Sequence, residues 1–308
     1  MVLLASSLMT ATNCLFENNI AANEIDGGGG VASIGSSVSL TDCTFRGNMS
    51  TGSSGEGGGL WASNSVVNVQ TSTFETNSAT NDDGGGCYLI GGTATIESCQ
   101  FTGNDSLWGS GIFLGNGANA IITNCTLTEN TAGNQGGGIH VNGATATITE
   151  CTITGNSAES IGGGIYVDGA SLVSIGTTKV CSNTPDQVNP INVYTDLGGN
   201  CISDVCDSDS DGTPDCNDGC PNDANKLEPG DCGCGTADTD SDQDGTPDCN
   251  DGCPNDANKV AAGACGCGTA DTDSDQDGTP DCNDGCPNDA NKIAAGTCGC
   301  GTADTDSD

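Results

Sequence analysis

Through the first 195 residues, apolar positions fall two apart in short runs and never into a 3.6-residue rhythm. Ala94-Thr-Ile96, Ala146-Thr-Ile148 and Ile165-Tyr-Val167 are representative, placing alternate side chains on opposite faces of an extended chain. Gly and β-branched Thr, frequent between these runs, disfavour helix further. The runs also recur. An apolar-x-x-Asn tetrapeptide returns as Phe16-Asn19, Phe45-Asn48, Phe74-Asn77, Phe101-Asn104, Leu127-Asn130 and Ile153-Asn156. A glycine cluster followed by an apolar residue returns before Val31, Leu60, Cys87, Ile112, Ile139 and Ile165, and both series advance by 25 to 29 residues. Cys stands two residues before the tetrapeptide at Cys14, Cys43, Cys99, Cys125 and Cys151, with Ser72 in that place once.

Landmarks that keep register in this way predict a solenoid. A leucine-rich repeat has a similar period, but its Leu framework is missing here. What remains is an all-β parallel β-helix in which each period forms one coil, with coils stacked about 4.8 Å apart. Equivalent residues then form ladders. Phe, Leu and Ile should fill the core, Asn should close buried backbone groups at one corner, and Gly should occupy a second corner where φ is positive or a Cβ has no room. The Cys column and Cys87 read as small buried hydrophobes, because side chains on adjacent coils run parallel, a poor geometry for a disulfide.

The alternation of FxxN with GG-small-aliphatic resembles the repeats of chlamydial polymorphic outer membrane proteins and related bacterial right-handed β-helix proteins, over residues 2–195. That resemblance implies a pectin-lyase-like right-handed superhelix and an adhesin-type role at the surface or in the medium.

Composition narrows the function classes. The 308 residues hold 42 acids against 5 bases, a net charge of −37, which excludes the basic stripe a nucleic-acid binder needs and disfavours anionic lipid. No apolar run is long enough for an integral membrane span. Twenty-one Cys with a single His point to an oxidising compartment, secreted or surface-displayed, rather than a cytosolic zinc protein. The bacterial outer membrane or medium is what the resemblance to polymorphic outer membrane proteins implies. The charge divides unevenly: −14 over residues 1–200 and −23 over 201–308. We therefore expect a β-helix of six to seven coils over 1–195, a linker over 196–206 and a separate region over 207–308. A shift of 29 aligns Val2 with Val31, and Gly301 to Asp308 opens a further tail repeat, so the secretion signal and anchor are expected outside this chain.

The second region repeats three times at 33 residues, with acidic loops at 207–218, 240–251 and 273–284. Carboxylates occupy loop positions 1, 3, 5, 9 and 12, with Gly at 6, the spacing by which a 12-residue loop wraps a hard cation, position 7 adding its carbonyl. Pro, Gly and Cys flank the loops instead of amphipathic helices, which argues against an EF-hand or a dockerin. The run DxDxDGxxDxxDxCP is similar to the thrombospondin type 3 repeat, which implies calcium-threaded loops packed with disulfides in place of a core. The four Cys per repeat depart from that family, so its pairing cannot be transferred. Spacing and resemblance together nominate Asp207, Asp209, Asp211, Thr213, Asp215 and Asp218 as Ca²⁺ ligands, then Asp240, Asp242, Asp244, Thr246, Asp248 and Asp251, then Asp273, Asp275, Asp277, Thr279, Asp281 and Asp284. Twelve tail Cys with Cys201 and Cys206 make an even set of 14, as a disulfide framework requires.

These readings favour a non-enzymatic extracellular or cell-surface protein of structural or adhesion type, with glycans or surface proteins as partners. The alternative is a carbohydrate-binding or polysaccharide-degrading β-helix. A lyase of this fold needs an Arg or Lys base, and only Arg46 and Lys179 are available; a hydrolase would draw on Asp82, Asp83 and Asp105. Trp61, Tyr88, Phe113, His140 and Tyr166 each follow the Gly-cluster aliphatic, so they should form an outward, mostly aromatic ladder.

Overall fold

A computed structural model describes residues 2–22, 27–53, 55–190 and 193–305; Met1 and Asp306 to Asp308 of the expected repeat opening lie outside them. The chain is all-β, and no helix occurs among the described residues. One coil runs through Leu60–Ser63, Val66–Gln70, Thr73–Glu75 and Ser78–Asp83. Each strand pairs in parallel with its counterpart one period on: Leu60 with Cys87, Val66 with Thr93, Phe74 with Phe101 and Ser78 with Asp105. About seven turns of this right-handed solenoid build three eight-stranded sheets and one of six strands.

The ladders explain why these residues recur. Phe45, Phe74 and Phe101 are fully buried and stack with ring centroids 4.6 and 4.7 Å apart. Asn is self-complementary, donating through Nδ2 and accepting through Oδ1, so one Asn can sit on another indefinitely. Asn104 Nδ2 donates to Asn130 Oδ1 (2.9 Å) and to the Phe74 carbonyl (2.9 Å), while its Oδ1 accepts from Asn77. The series runs past Asn156 to Asn183, where Gln187 Oε1 accepts the last bond at 2.9 Å. Gly serves both purposes expected of it: Gly84 has φ 70°, and a Cβ on Gly86 would lie 2.5 Å from the Gly111 carbonyl oxygen.

Cys43, Cys99, Cys125 and Cys151 are buried free thiols, and Cys87 is buried in the core. They do more than fill space. Each thiol in the column points at the carbonyl two residues before it, as Cys99 does at Glu97 (3.2 Å). Ser72 makes the same bond to Gln70 at 2.8 Å, which is why Ser substitutes there.

Two expectations need correction. The stretch 196–206 is not a linker: Tyr194–Asp196 and Cys201–Ser203 extend two of the sheets by a final strand each. Asn200 there donates to the Ile175 carbonyl (2.8 Å) and accepts from Thr178 N (3.0 Å), so it ends the Cys column after Cys151 and Thr178. The chain divides instead into one unit of residues 1–208 with 214–217 and another of 209–213 with 218–308. The even set of 14 is also composed differently, because Cys181 pairs with Cys206 while Cys298 is a free, exposed thiol.

Replacing Asn104 by Leu should therefore destabilise the helix by roughly 3 kcal/mol or more, because several buried backbone and side-chain groups lose partners at once. Thr126→Ser, on an exposed strand position, should change little. Thermal unfolding of the two variants checks this, and equal midpoints would contradict the ladder account.

Candidate metal centres and an acidic cleft

The tail orders its loops with short-range hydrogen bonds rather than with apolar burial. In the second repeat, Asp240 accepts from Gln243 N (2.7 Å) and Gly245 N (2.9 Å), and Asp244 accepts from Thr246 N (2.8 Å). Gly245 has φ 98°, so the turn at loop position 6 requires Gly. These bonds turn the carboxylates of Asp240, Asp242 and Asp244 inward until their ligand atoms lie within 4.8 Å of one another, and Asp273, Asp275 and Asp277 repeat the cluster. Such a triplet can hold a metal ion.

Two further oxygens complete the picture. Asp242 Oδ2 and Asp251 Oδ2 are both buried and have no hydrogen-bond partner. Burial raises the Asp242 carboxyl above its ordinary range, and the charges of Asp244 and Asp251 push the same way. Asp275 and Asp284 reproduce this in the third repeat. Position 9 stands apart. Asp248 accepts from Ser241 Oγ (2.6 Å), Ser241 N (2.8 Å) and Thr239 Oγ1 (3.1 Å), and these bonds hold it below the usual carboxylate range. Asp281 does likewise with Ser274 and Thr272, and Asp215 accepts from Ser208 N and Oγ. The first loop crosses the division between the two units, with Asp207 and Asp215 in the first and Asp209, Asp211, Thr213 and Asp218 in the second. There Asp211 accepts from Thr213 N, and the Oδ2 atoms of Asp209 and Asp218 are again buried without partners.

Sequence reading passed over the tail lysines. Lys259 Nζ donates to the carbonyls of Ala262 (3.2 Å) and Gly266 (2.8 Å) and pairs with Asp271 Oδ2 at 3.0 Å, with only 10% of its side chain exposed. Lys226 with Asp238 and Lys292 with Asp304 repeat the cage. Every base of the tail is thus consumed within its own repeat. Disulfides join Cys253 to Cys267 within a repeat and Cys232 to Cys249 between successive repeats.

On the β-helix, the residues named as an outward ladder do stack one per coil: Tyr88 on Phe113 (4.9 Å), Phe113 on His140 (4.9 Å) and His140 on Tyr166 (4.8 Å). They point away from the main core yet are covered, except for Tyr166, which is half-buried. Trp61, Tyr88 and Phe113 form a second small core with Ala32, against which Ile90 and Trp108 pack. His140 is 4% exposed. A flat aromatic platform for a sugar ring is therefore not what this face presents.

Instead, irregular pairing opens a cleft beside the ladder. Ser78 and Ala79 pair with Asp105 and Ser106, but the next partner of Trp108 is Asp83, so Ser78–Asp83 carries extra residues that bulge. The bulge sets Asp83, Trp108, Phe113, His140, Tyr166 and Asp168 around a cleft of about 250 Å³. Burial, then the charges of Asp82 and Glu56, push the Asp83 carboxyl up to about 8. Glu56, which accepts from Trp61 Nε1 at 2.8 Å, had no sequence signal marking it. Asp105 sits at an exposed strand position beside Ser78, with its carboxyl raised by partial desolvation. Arg46 pairs with Glu17 and Glu75 on a different sheet, and Lys179 lies on that same sheet.

Residues 91–202 match the family described as "Right handed beta helix region". No curated protein and no solved structure matches the chain. The family match and the solenoid agree on fold, which alone does not select a chemistry.

Two measurements follow. Asp244→Asn combined with Asp251→Asn should remove one ion-binding event per chain and leave the other loops intact, as read by calorimetric stoichiometry; an unchanged stoichiometry would separate these carboxylates from metal binding. Asp83 titrates near 8 when folded, far above an unfolded carboxyl near 4, so its contribution favours the fold at acid pH and is lost as pH rises through about 8. Asp83→Asn should accordingly melt above the parent at pH 9 and level with it near pH 4. A constant difference at both would rule out this titration.

Proposed function

We propose that the chain is a non-catalytic, extracellular or surface-displayed protein of structural or adhesion type, in which a metal-independent β-helix carries a tail ordered by Ca²⁺. The observation that carries the proposal is the electrostatic imbalance of the loops. The loops at 240–251 and 273–284 each bring carboxylates together and bury two partnerless oxygens, while every tail lysine is already paired. Only an external cation relieves that repulsion. An all-oxygen donor set calls for a hard ion, and a flexible loop offering more than four oxygens suits Ca²⁺ better than the smaller, water-retaining Mg²⁺. The likeness of the tail to thrombospondin type 3 repeats, and of the helix to polymorphic outer membrane protein repeats, supports the same assignment. Seven disulfides fit an oxidising compartment. No helix among the described residues is long and apolar enough to cross a membrane.

Against catalysis, Arg46 is engaged by two glutamates on another sheet, and no Arg or Lys lines the acidic cleft, whose one imidazole is buried. The chain should release neither unsaturated nor reducing sugar from pectate, alginate or xylan with calcium present; turnover abolished by Asp83→Asn would establish an enzyme instead. Adding calcium at about 10⁻⁴–10⁻³ M, the range of extracellular modules, should contract the chain and protect its tail from proteolysis, with magnesium far less effective. Small-angle scattering decides this, and an unchanged radius of gyration would overturn the proposal.

A further inference from the structure

The cleft beside the ring ladder has an unusual balance of hydrogen-bonding groups. Asp83 and Asp168 contribute carboxyl oxygens. Asp83 Oδ1 and His140 Nδ1 are both withdrawn from solvent and have no partner. The Gln135 backbone engages the imidazole, and burial keeps the ring neutral by lowering its titration to about 4. Since Nδ1 is the partnerless nitrogen, it is left as an acceptor. Asn142 and Gln135 complete the polar lining, each with an amide that can donate or accept. Two acceptors, Asp83 Oδ1 and His140 Nδ1, are thus left without donors, and no Arg or Lys lines the site.

The remaining wall is aromatic: Trp108, Phe113 and Tyr166. Phe113 is stacked between Tyr88 and His140, but the half-buried rings of Trp108 and Tyr166 beside carboxylates attract a cation through both the ring quadrupole and the opposite charge. The cation must also bring N–H donors, because the recessed acceptors are otherwise unsatisfied. A quaternary ammonium has none. A bare metal ion is not favoured either, since the clusters able to hold one lie in the tail loops, not here.

We infer that this cleft receives the basic head group of an arginine or lysine side chain presented by a partner protein. The small volume and the recessed position of Asp83 Oδ1 and His140 Nδ1 favour a slender chain entering end-on over an amino sugar, whose nitrogen sits directly on a bulky ring. Guanidinium suits the wall best, as a planar group that stacks on rings and carries five donors. The inference does not depend on calcium binding by the tail.

The groups facing Asp83 are Asp82, Glu56 and Tyr88, and Asp168 faces His140. With Asp83 protonated near neutrality, a cation entering should drive its proton off. Affinity should then rise with pH up to about 8, on the order of tenfold per unit at most.

The test titrates the full chain, with chelator and separately with calcium, using Nα-acetyl-arginine amide, Nα-acetyl-lysine amide, glucosamine, N-acetylglucosamine and galacturonate. Expected are saturable binding of the arginine and lysine probes in both conditions, proton release visible as buffer-dependent heat, and at least tenfold weaker binding in Asp83→Asn and in Asp168→Asn. Galacturonate and N-acetylglucosamine should not bind. Absence of saturable arginine or lysine binding, or binding indifferent to pH and to both variants, would overturn the inference; glucosamine binding more tightly than either amide would assign the cleft to an amino sugar. The pH arm uses the unaltered chain, so it stands even where a variant folds poorly. Loss of the calcium response with retained arginine binding would contradict only the reading of the tail.

Discussion

Backbone pairing between coils forces like to stand on like, and the rest of the helix follows from which residues tolerate a copy of themselves about 4.8 Å away. Asn tolerates it because its amide both gives and takes a hydrogen bond, as the bonds from Asn48 through Asn183 show. Phe tolerates it by stacking. Cys, Ser72 and Thr178 tolerate it by bonding their own carbonyls two residues back. A carboxylate cannot, since two anions at that spacing repel with nothing between them. Acids on the outer face have unlike neighbours instead: Glu17 and Glu75 flank Arg46, and Glu97 stands between Gln70, which donates to it, and Thr123.

The tail meets the same constraint with the opposite composition. With 26 acids over residues 201–308, it has little apolar side chain to bury, and its deeply buried residues are chiefly Cys220, Cys253 and Cys286. Order must come from closing loops with disulfides and neutralising carboxylates. One lysine per repeat acts as a covalently attached cation, held by two carbonyls and a carboxylate, while Asp242 Oδ2 and Asp275 Oδ2 in the second and third triplets are buried without a hydrogen-bond partner. Each repeat thus alternates a neutralised centre with an unneutralised one, and the second kind makes the region responsive to its ionic surroundings.

Much of this was legible in the residues themselves, because a ladder writes its period into the chain. Phe45, Asn48 and Gly59 occupy the places their spacing predicts, and the aspartates at positions 1, 3 and 5 converge as a 12-residue loop would have them. What escaped depended on neighbours distant in sequence or on a changed local vocabulary. In the last coils Gln187 ends the Asn ladder and Asn200 ends the Cys column without the glycine and FxxN signals, so the helix continues where a linker was expected. Counting cysteines by region left out Cys181, whose partner is set by where the final strands lie. The rings after each Gly cluster face outward as the alternation requires, yet only the bulged segment carrying Asp83 and Trp108 reveals that they are covered.

The central claim is that two kinds of order coexist in one chain, hydrogen-bonded ladders that need no ion and acidic loops that do. Hydrogen–deuterium exchange on the intact, oxidised protein tests it most directly, compared in chelator and in millimolar calcium. Amides of the ladder strands, such as those around Asn104 and Ile122, should be protected equally in both. Amides of the loops 240–251 and 273–284, including Thr246 and Cys253, should exchange quickly in chelator and slow markedly with calcium. Equal protection of the loops in both conditions, or calcium-dependent protection of the ladder strands, would contradict the account.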